Sequence, residues 1–172
     1  MMRKSFVKSR PLIEGRAVPW ITVALSFAAL CVAWLAQYGG GLAPCHLCYL
    51  QRYAYWAAIA VGCVAVRYSY EPKPRRIWLS LTGIALLTVA GIAVFHVGVE
   101  QGWWAGSEAC VGESGQGQSI EDLTNSIMNA PLTRCDEAAF VLFGISMAGY
   151  NALYALILAS FAFWGATRPT NS

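Results

Sequence analysis

Four long apolar stretches constrain this chain more than any other feature: Ala17 to Tyr38, Tyr49 to Val66, Ile77 to Val99 and Ala138 to Trp164. A helix rises about 1.5 Å per residue, so about 20 residues cross a hydrocarbon core of roughly 30 Å. Lipid offers no partner to backbone N–H and C=O groups, so segments that cross it close their hydrogen bonds internally as helices. The composition agrees, with 57% hydrophobic and only 12% charged residues, about half the charge of an ordinary soluble domain. The expected fold is an all-α membrane protein, a four-helix transmembrane bundle forming one domain over residues 1–172. The first stretch has a cleaved signal peptide as its rival reading. Its length exceeds the roughly 7–15 apolar residues of such a peptide and no clear A-x-A site follows, so it reads as a retained span.

Four spans put both termini on one side, and the basic residues say which. Arg3, Lys4, Lys8, Arg10 and Arg16 precede the first span, Arg67, Lys73, Arg75 and Arg76 lie between the second and third, and Arg168 follows the fourth. Cytoplasmic segments retain Lys and Arg, so the termini and the 67–76 connection are expected in the cytoplasm, with loops 39–48 and 100–137 outside. The longer outer loop carries Glu100, Glu108, Glu113, Glu121, Asp122, Asp136 and Glu137 against Arg134. With no basic patch, the chain is not expected to bind nucleic acid. Ser119 with Asp122, followed by Ile120, Leu123 and Ile127 at helical spacing, reads either as a short helix lying on the membrane surface or as a loop.

This orientation sorts the six cysteines by depth. Cys45 and Cys48 lie at the edge of the first outer loop and Cys110 and Cys135 in the second, all in a disulfide-permissive compartment; Cys31 and Cys63 fall inside spans, where a cysteine acts as a small core hydrophobe. Pro44 suits the first position of a helix, so the second helix is expected to start there with Cys45 and Cys48 in its first turn. The positive end of the helix dipole favours a thiolate at that place. Arg52, four residues after Cys48, shares its face and adds a permanent cation. His96 sits near the outer end of the third span, at about the depth of Cys48 and Arg52, and ionisable groups in spans face an interior or a cavity. His46 reads as a water-exposed loop residue for want of a partner.

Other cysteine chemistries fit less well. Haem attachment needs a histidine where Tyr49 stands, and a structural zinc site wants a second closely spaced pair, which Cys110 and Cys135 are not; no metal is expected. Trp20, Tyr38, Trp78, Trp103 and Trp104 fall near span ends, as in an interfacial belt. Gly144 and Ala148 read as helix-packing residues of the fourth span, and Asn151 as an interhelical hydrogen-bonding group.

The whole constellation resembles the disulfide bond formation protein DsbB family. It is carried by Cys45-His46-Leu47-Cys48 with Gln51-Arg52, by Phe95 to Gln101 around His96, by Cys135-Asp136-Glu137, and by Ser146 to Asn151. The resemblance implies a bacterial inner-membrane oxidase with its active loops facing the periplasm. It implies re-oxidation of a DsbA-like periplasmic thiol oxidase and delivery of the electrons to a membrane quinone, ubiquinone or menaquinone. Under it Cys110 is the sulfur attacked by the reduced partner, Cys135 then joins Cys45, and Cys48 is released as a thiolate facing the quinone, with Arg52 and His96 beside the ring. Two rivals stand beside it: a non-catalytic four-span scaffold stapled by static outer-loop disulfides, and a vitamin K epoxide reductase-like enzyme. The second is disfavoured because its Cys-x-x-Cys would follow the loop pair rather than precede it.

Overall fold

Each apolar stretch becomes a helix, but local chemistry moves the ends. The computed structural model describes residues 15–107, 110 and 134–168. Helix α1 runs from Ala17 to Trp34 and widens into one π turn over Leu35–Gly39. The Gly40 N–H closes that turn on the Leu35 carbonyl at 3.0 Å. A side chain at Gly40 would sit 2.8 Å from the Ala36 carbonyl oxygen, so glycine is required to leave the turn there. Helix α2 spans His46–Arg67 and α3 spans Pro72–Glu100. Pro72 opens α3 at a position whose missing N–H costs nothing.

The last helix, α4, covers Met147–Thr167, so it begins later than the expected Ala138. Ser146 caps it, accepting the Gly149 N–H at 3.2 Å. The residues before it form a two-stranded antiparallel hairpin, β1 (Val141–Leu142) with β2 (Ile145–Ser146). Its turn residues Phe143 (φ 50°) and Gly144 (φ 78°) both have positive φ, the geometry of a type I′ hairpin turn. An apolar run alone does not distinguish a short strand from a helix end. Gly144 is therefore a turn residue and not half of a helix-packing pair with Ala148. The small residues that pack α4 are Ala148, Ala152, Ala155, Ala159 and Ala162, all buried.

Helix α3 packs most extensively on α4 and next on α2, and α1 covers α2 and part of α4. All four helices feed one core through Leu30, Tyr55, Leu86, Val89 and Leu158, with a second cluster of Val18, Ala65, Leu79 and Ala162. The outer faces carry Phe27, Ile84, Val94, Leu153 and Ile157, exposed apolar side chains suited to lipid. Helices Ala17–Gly39, Pro72–Glu100 and Met147–Thr167 are long and apolar enough to cross a membrane. Helix α2 is as long but more polar, since it carries Gln51 and Arg52. Cys63 is exposed on α2 and Cys31 only half-buried on α1, so these two are not core residues as expected. Helical periodicity turns both outward. The 119–130 segment, read as a surface helix or a loop, lies outside the described residues.

Arg75 ties one end of the bundle together. Expected as a loop charge, it is fully buried and donates to the Gly15, Gly165 and Arg168 carbonyls at 2.9, 3.0 and 2.6 Å. Two of these acceptors belong to the end of α4, whose last carbonyls have no intrahelical partner. The start of α1 and the end of α4 thus meet at one pole, and the paired cysteines gather at the other. Arg75→Met is expected to strand these carbonyls and lower stability by roughly 2–4 kcal/mol. Thermal unfolding in detergent measures this, and an unchanged midpoint would rule out the tie.

Candidate functional site

The site begins where α2 begins. Cys45 is the N-cap, extended at φ −78° and ψ 174°, and His46 is the first helical residue. Pro44 therefore precedes the cap and does not open the helix. The chain has to turn out of helical geometry at Cys45 to leave the glycine-rich loop. Cys48 becomes the third helical residue, the position from which a side chain reaches back to its own cap. Its sulfur lies 3.2 Å from that of Cys45 and receives a hydrogen bond from the Cys45 backbone.

The two thiols are unequal. Both precede the apolar run that starts at Tyr49. The hydrogen bond from the Cys45 thiol lowers the Cys48 pKa against the opposing effect of burial, and Arg52 adds to the lowering. The same hydrogen bond, with burial, pushes Cys45 up to about 12. Cys48 is thus the more acidic thiol and Cys45 its hydrogen-bond donor. After reduction, alkylation is expected to label Cys48 at pH values below the ordinary thiol range and to leave Cys45 as the slower site. Peptide mass mapping across a pH series checks this, and faster labelling of Cys45 would reverse the assignment.

The second pair lies against the first. Cys45, Leu47, Val99, Cys110 and Cys135 form one buried cluster, with Cys48 packed on it. The Cys135 N–H donates to the Cys110 carbonyl at 3.2 Å, and Ser107 Oγ donates to Cys110 Sγ at 3.4 Å. Cys135 contacts Cys45 and receives the Leu47 N–H, one of the open donors in the first turn of α2; burial raises its pKa. All four outer sulfurs that the sequence singled out therefore come together, with Cys45 between Cys48 and Cys135.

His96 and Arg52 take different stations. His96, from α3, is buried with Nε2 3.5 Å from Cys45 Sγ and 3.7 Å from Glu100 Oε1. Arg52 donates to Gln37 Oε1 at 2.5 Å and the Ala33 carbonyl at 3.1 Å, and lies over the Tyr49 ring. His46 is exposed, as expected for a loop-edge residue.

Three polar residues continue inward from His96. Tyr55 Oη donates to Asn151 Oδ1 at 2.8 Å, Asn151 Nδ2 to Gln51 Oε1 at 2.6 Å, and Gln51 Nε2 to His96 Nδ1 at 3.1 Å. With the Gln51 and Asn151 amides in this orientation Nδ1 accepts, and a neutral ring then carries its proton on Nε2, facing Cys45. Asn151 is the interhelical group expected from the sequence. Tyr55 and Glu100 had no place in the site read from the sequence and Gln51 had one only in the family motif beside Arg52, although an amide at Gln51 and another at Asn151 in otherwise apolar helices were visible signals.

Cys45, Cys48, Gln51, Arg52, Tyr55, His96 and Asn151 line a cavity of about 740 Å³. Most of its other walls, among them Ala29, Leu30, Ala33, Ala36 and Met147, are apolar, and Glu100, Arg134 and Glu137 add charged groups. It combines a thiol of lowered pKa, a guanidinium and an imidazole at one side with a greasy pocket for the rest of a ligand.

The family model described as Disulfide bond formation protein DsbB matches residues 15–165. An uncharacterized protein of Rickettsia prowazekii (strain Madrid E) is 29% identical over 143 residues, covering 82% of this chain and 81% of its own. A Disulfide bond formation protein B of Herminiimonas arsenicoxydans is 36% identical over 84 residues, 49% of this chain and 52% of its own. One from Cupriavidus necator is 29% identical over 84 residues, 49% and 50% of the two chains. The chain thus aligns with about half the length of the two relatives that carry this name. No solved structure matches it.

Proposed function

Since the chain belongs to the disulfide bond formation protein DsbB family, we propose that it is a protein-disulfide:quinone oxidoreductase that re-oxidises a DsbA-like thiol oxidase. The proposal includes a four-span topology in the bacterial inner membrane, with cytoplasmic termini and the cysteine pole facing the periplasm. The observation that carries it is the single cavity shared by Cys48, Arg52 and His96. Its apolar walls suit an isoprenoid quinone and its polar side suits the ring. A quinone supplies an acceptor for two electrons and two protons.

The chain's own residues account for the remaining steps. A partner thiolate attacks Cys110 and breaks a Cys110–Cys135 bond, giving a mixed disulfide and a Cys135 thiolate. Cys135 attacks Cys45, with which it is already in contact. That forms Cys45–Cys135, breaks Cys45–Cys48 and releases Cys48 as a thiolate. The second thiol of the partner resolves the mixed disulfide, and Cys110 leaves. With Cys45 bonded to Cys135, the Cys45 backbone N–H and Arg52 stabilise the Cys48 thiolate, and His96, beside Cys45 Sγ, holds or delivers a proton there once that sulfur is released from Cys135. Arg52 also pins the π turn of α1 that forms one cavity wall.

Membranes carrying the protein are expected to reduce added quinone when given a reduced dithiol partner. Arg52→Ala is expected to raise the apparent KM for quinone about 10-fold or more, since an ion–dipole contact of about 1.4 kcal/mol is lost, while the outer disulfides still form. An unaltered KM would remove Arg52 from the quinone site. The static-scaffold reading predicts outer cysteines that stay oxidised when quinone is limiting. Thiol trapping under that condition separates the two.

A further inference from the structure

Glu100 is the residue that electron relay leaves unexplained. It is the last residue of α3, its side chain is only 6% exposed, and it sits one helical turn beyond His96. Oε1 lies 3.7 Å from His96 Nε2, and Oε2 is buried with no hydrogen-bond partner among the described residues. A buried carboxylate oxygen without a partner is costly, and its position points to something that would occupy the space beside it.

That space is bounded by metal-ligand atoms. Cys45 Sγ, Cys48 Sγ and a His96 ring nitrogen all lie within 4.8 Å of one another. The sulfurs are 3.2 Å apart and Cys45 Sγ is 3.5 Å from Nε2. Around a tetrahedral zinc ion, the usual bond lengths put two thiolate sulfurs about 3.8 Å apart and a sulfur and an imidazole nitrogen about 3.5 Å apart. The sulfurs need separate by only a few tenths of an ångström. A dithiol poised to become a disulfide accounts for the two cysteines, but not for an imidazole set against them with an orphan carboxylate next to the imidazole.

The surroundings also suit an imidazole ligand. A metal-bound histidine donates its other ring N–H to a carbonyl or carboxylate. His96 Nδ1 faces the side-chain amide of Gln51, and Gln51 faces that of Asn151. If both amides rotate by half a turn, Gln51 Oε1 accepts from Nδ1–H, Asn151 Oδ1 accepts from Gln51, and the Tyr55 hydroxyl accepts from Asn151. Every group in the chain stays paired, because a hydroxyl serves as donor or acceptor.

We propose that the reduced form of the protein binds one borderline-soft divalent cation such as Zn²⁺ through Cys45, Cys48 and His96, with Glu100 swinging in from beside His96 as the fourth ligand. Binding changes no oxidation state: the two sulfurs give up to solvent whatever protons they carry as two metal–sulfur bonds form. The imidazole moves its proton from Nε2 to Nδ1 without net loss. Both electrons stay on the sulfurs, so the ion holds the centre reduced, and a chelator frees it. Oxidation to the Cys45–Cys48 disulfide removes two ligands and abolishes the site.

The site rests on its own geometry and not on the quinone reading, and its test needs neither quinone nor a protein partner. The full chain in detergent, with Cys110→Ser and Cys135→Ser to leave Cys45 and Cys48 as the outer sulfurs, is reduced, freed of reductant and titrated anaerobically with Co²⁺. One equivalent is expected, with thiolate-to-cobalt absorption and tetrahedral d–d bands, displaced by Zn²⁺ and absent from the oxidised protein. Glu100→Gln and His96→Gln are each expected to weaken binding about 10-fold or more, and Glu100→Asp to restore part of the loss and the spectrum. Absence of one-to-one binding overturns the proposal. So does a spectrum unchanged by Cys45→Ser, or equal affinity in both the Glu100 and His96 variants, which would mean a bare dithiol chelate. Loss of quinone reduction with an intact titration would sink only the oxidase reading.

Discussion

Replacing Cys48 with serine is expected to reduce quinone turnover to background, a loss of about 1,000-fold or more, because a hydroxyl at this position is neither ionised nor a competent sulfur donor. The selectivity of the loss makes the experiment informative. Cys110 and Cys135 keep most of their environment, since Cys45, Leu47 and Val99 form the buried cluster with them and position 48 is only partly buried against it. Attack by the partner on Cys110 is therefore expected to continue, and a mixed disulfide should accumulate on non-reducing gels while quinone reduction stops. Cys45→Ser is expected to stop the relay at the same step, because Cys135 attacks a Cys45–Cys48 disulfide that neither variant can form. Unchanged quinone turnover in Cys48→Ser would remove it as the quinone-facing residue. Loss of the mixed disulfide as well would show that the substitution disturbed the whole cluster.

The parts of this site that were legible in the sequence were those written locally. Cys45, Cys48 and Arg52 are related by spacings of three and four, and helical geometry converts those spacings into a shared face. His96 was legible as a titratable group near a span end, and its placement beside the cysteines followed from the membrane depth of the two helices. The start of α4 was not legible, because Val141, Leu142 and Ile145 are apolar in either structure and only the positive φ at Phe143 and Gly144 decides for a hairpin. Pro44 was misassigned for a related reason: a proline before a cysteine cap and a proline inside the first turn look alike in sequence. The role of Arg75 was hidden because a basic residue between spans normally marks the cytoplasmic side, and nothing local reveals that three carbonyls converge on it. Gln51 and Asn151 lie on different helices, so their pairing is purely a property of the packed bundle.

That pairing is what makes Gln51→Leu the most damaging change expected outside the cysteines. Leucine has about the right volume but removes both amide groups, so His96 Nδ1 and Asn151 Nδ2 lose their partners in a buried setting. Each unsatisfied group costs about 1–3 kcal/mol, and the imidazole is no longer held with its Nε2–H toward Cys45. A positioned acid–base group contributes roughly 10²–10⁴ in rate, so turnover is expected to fall about 100-fold. A structural defect alone would also lower activity, and two further readings separate the causes. The ring-nitrogen shifts of His96, recorded in a His46→Gln background so that one histidine remains, are expected to report the Nε2–H tautomer in the parent and a mixture in Gln51→Leu. Asn151→Asp supplies the sharper contrast. A carboxylate still accepts from Tyr55 but cannot donate to Gln51, so Gln51 must turn its Nε2 toward position 151 and its Oε1 toward His96. The ring is then fixed as Nδ1–H, with a bare Nε2 facing Cys45. A swapped nitrogen signature with near-normal thermal stability would show that the chain of amides sets the proton at Cys45. An unchanged signature in both variants would reduce Gln51 and Asn151 to packing.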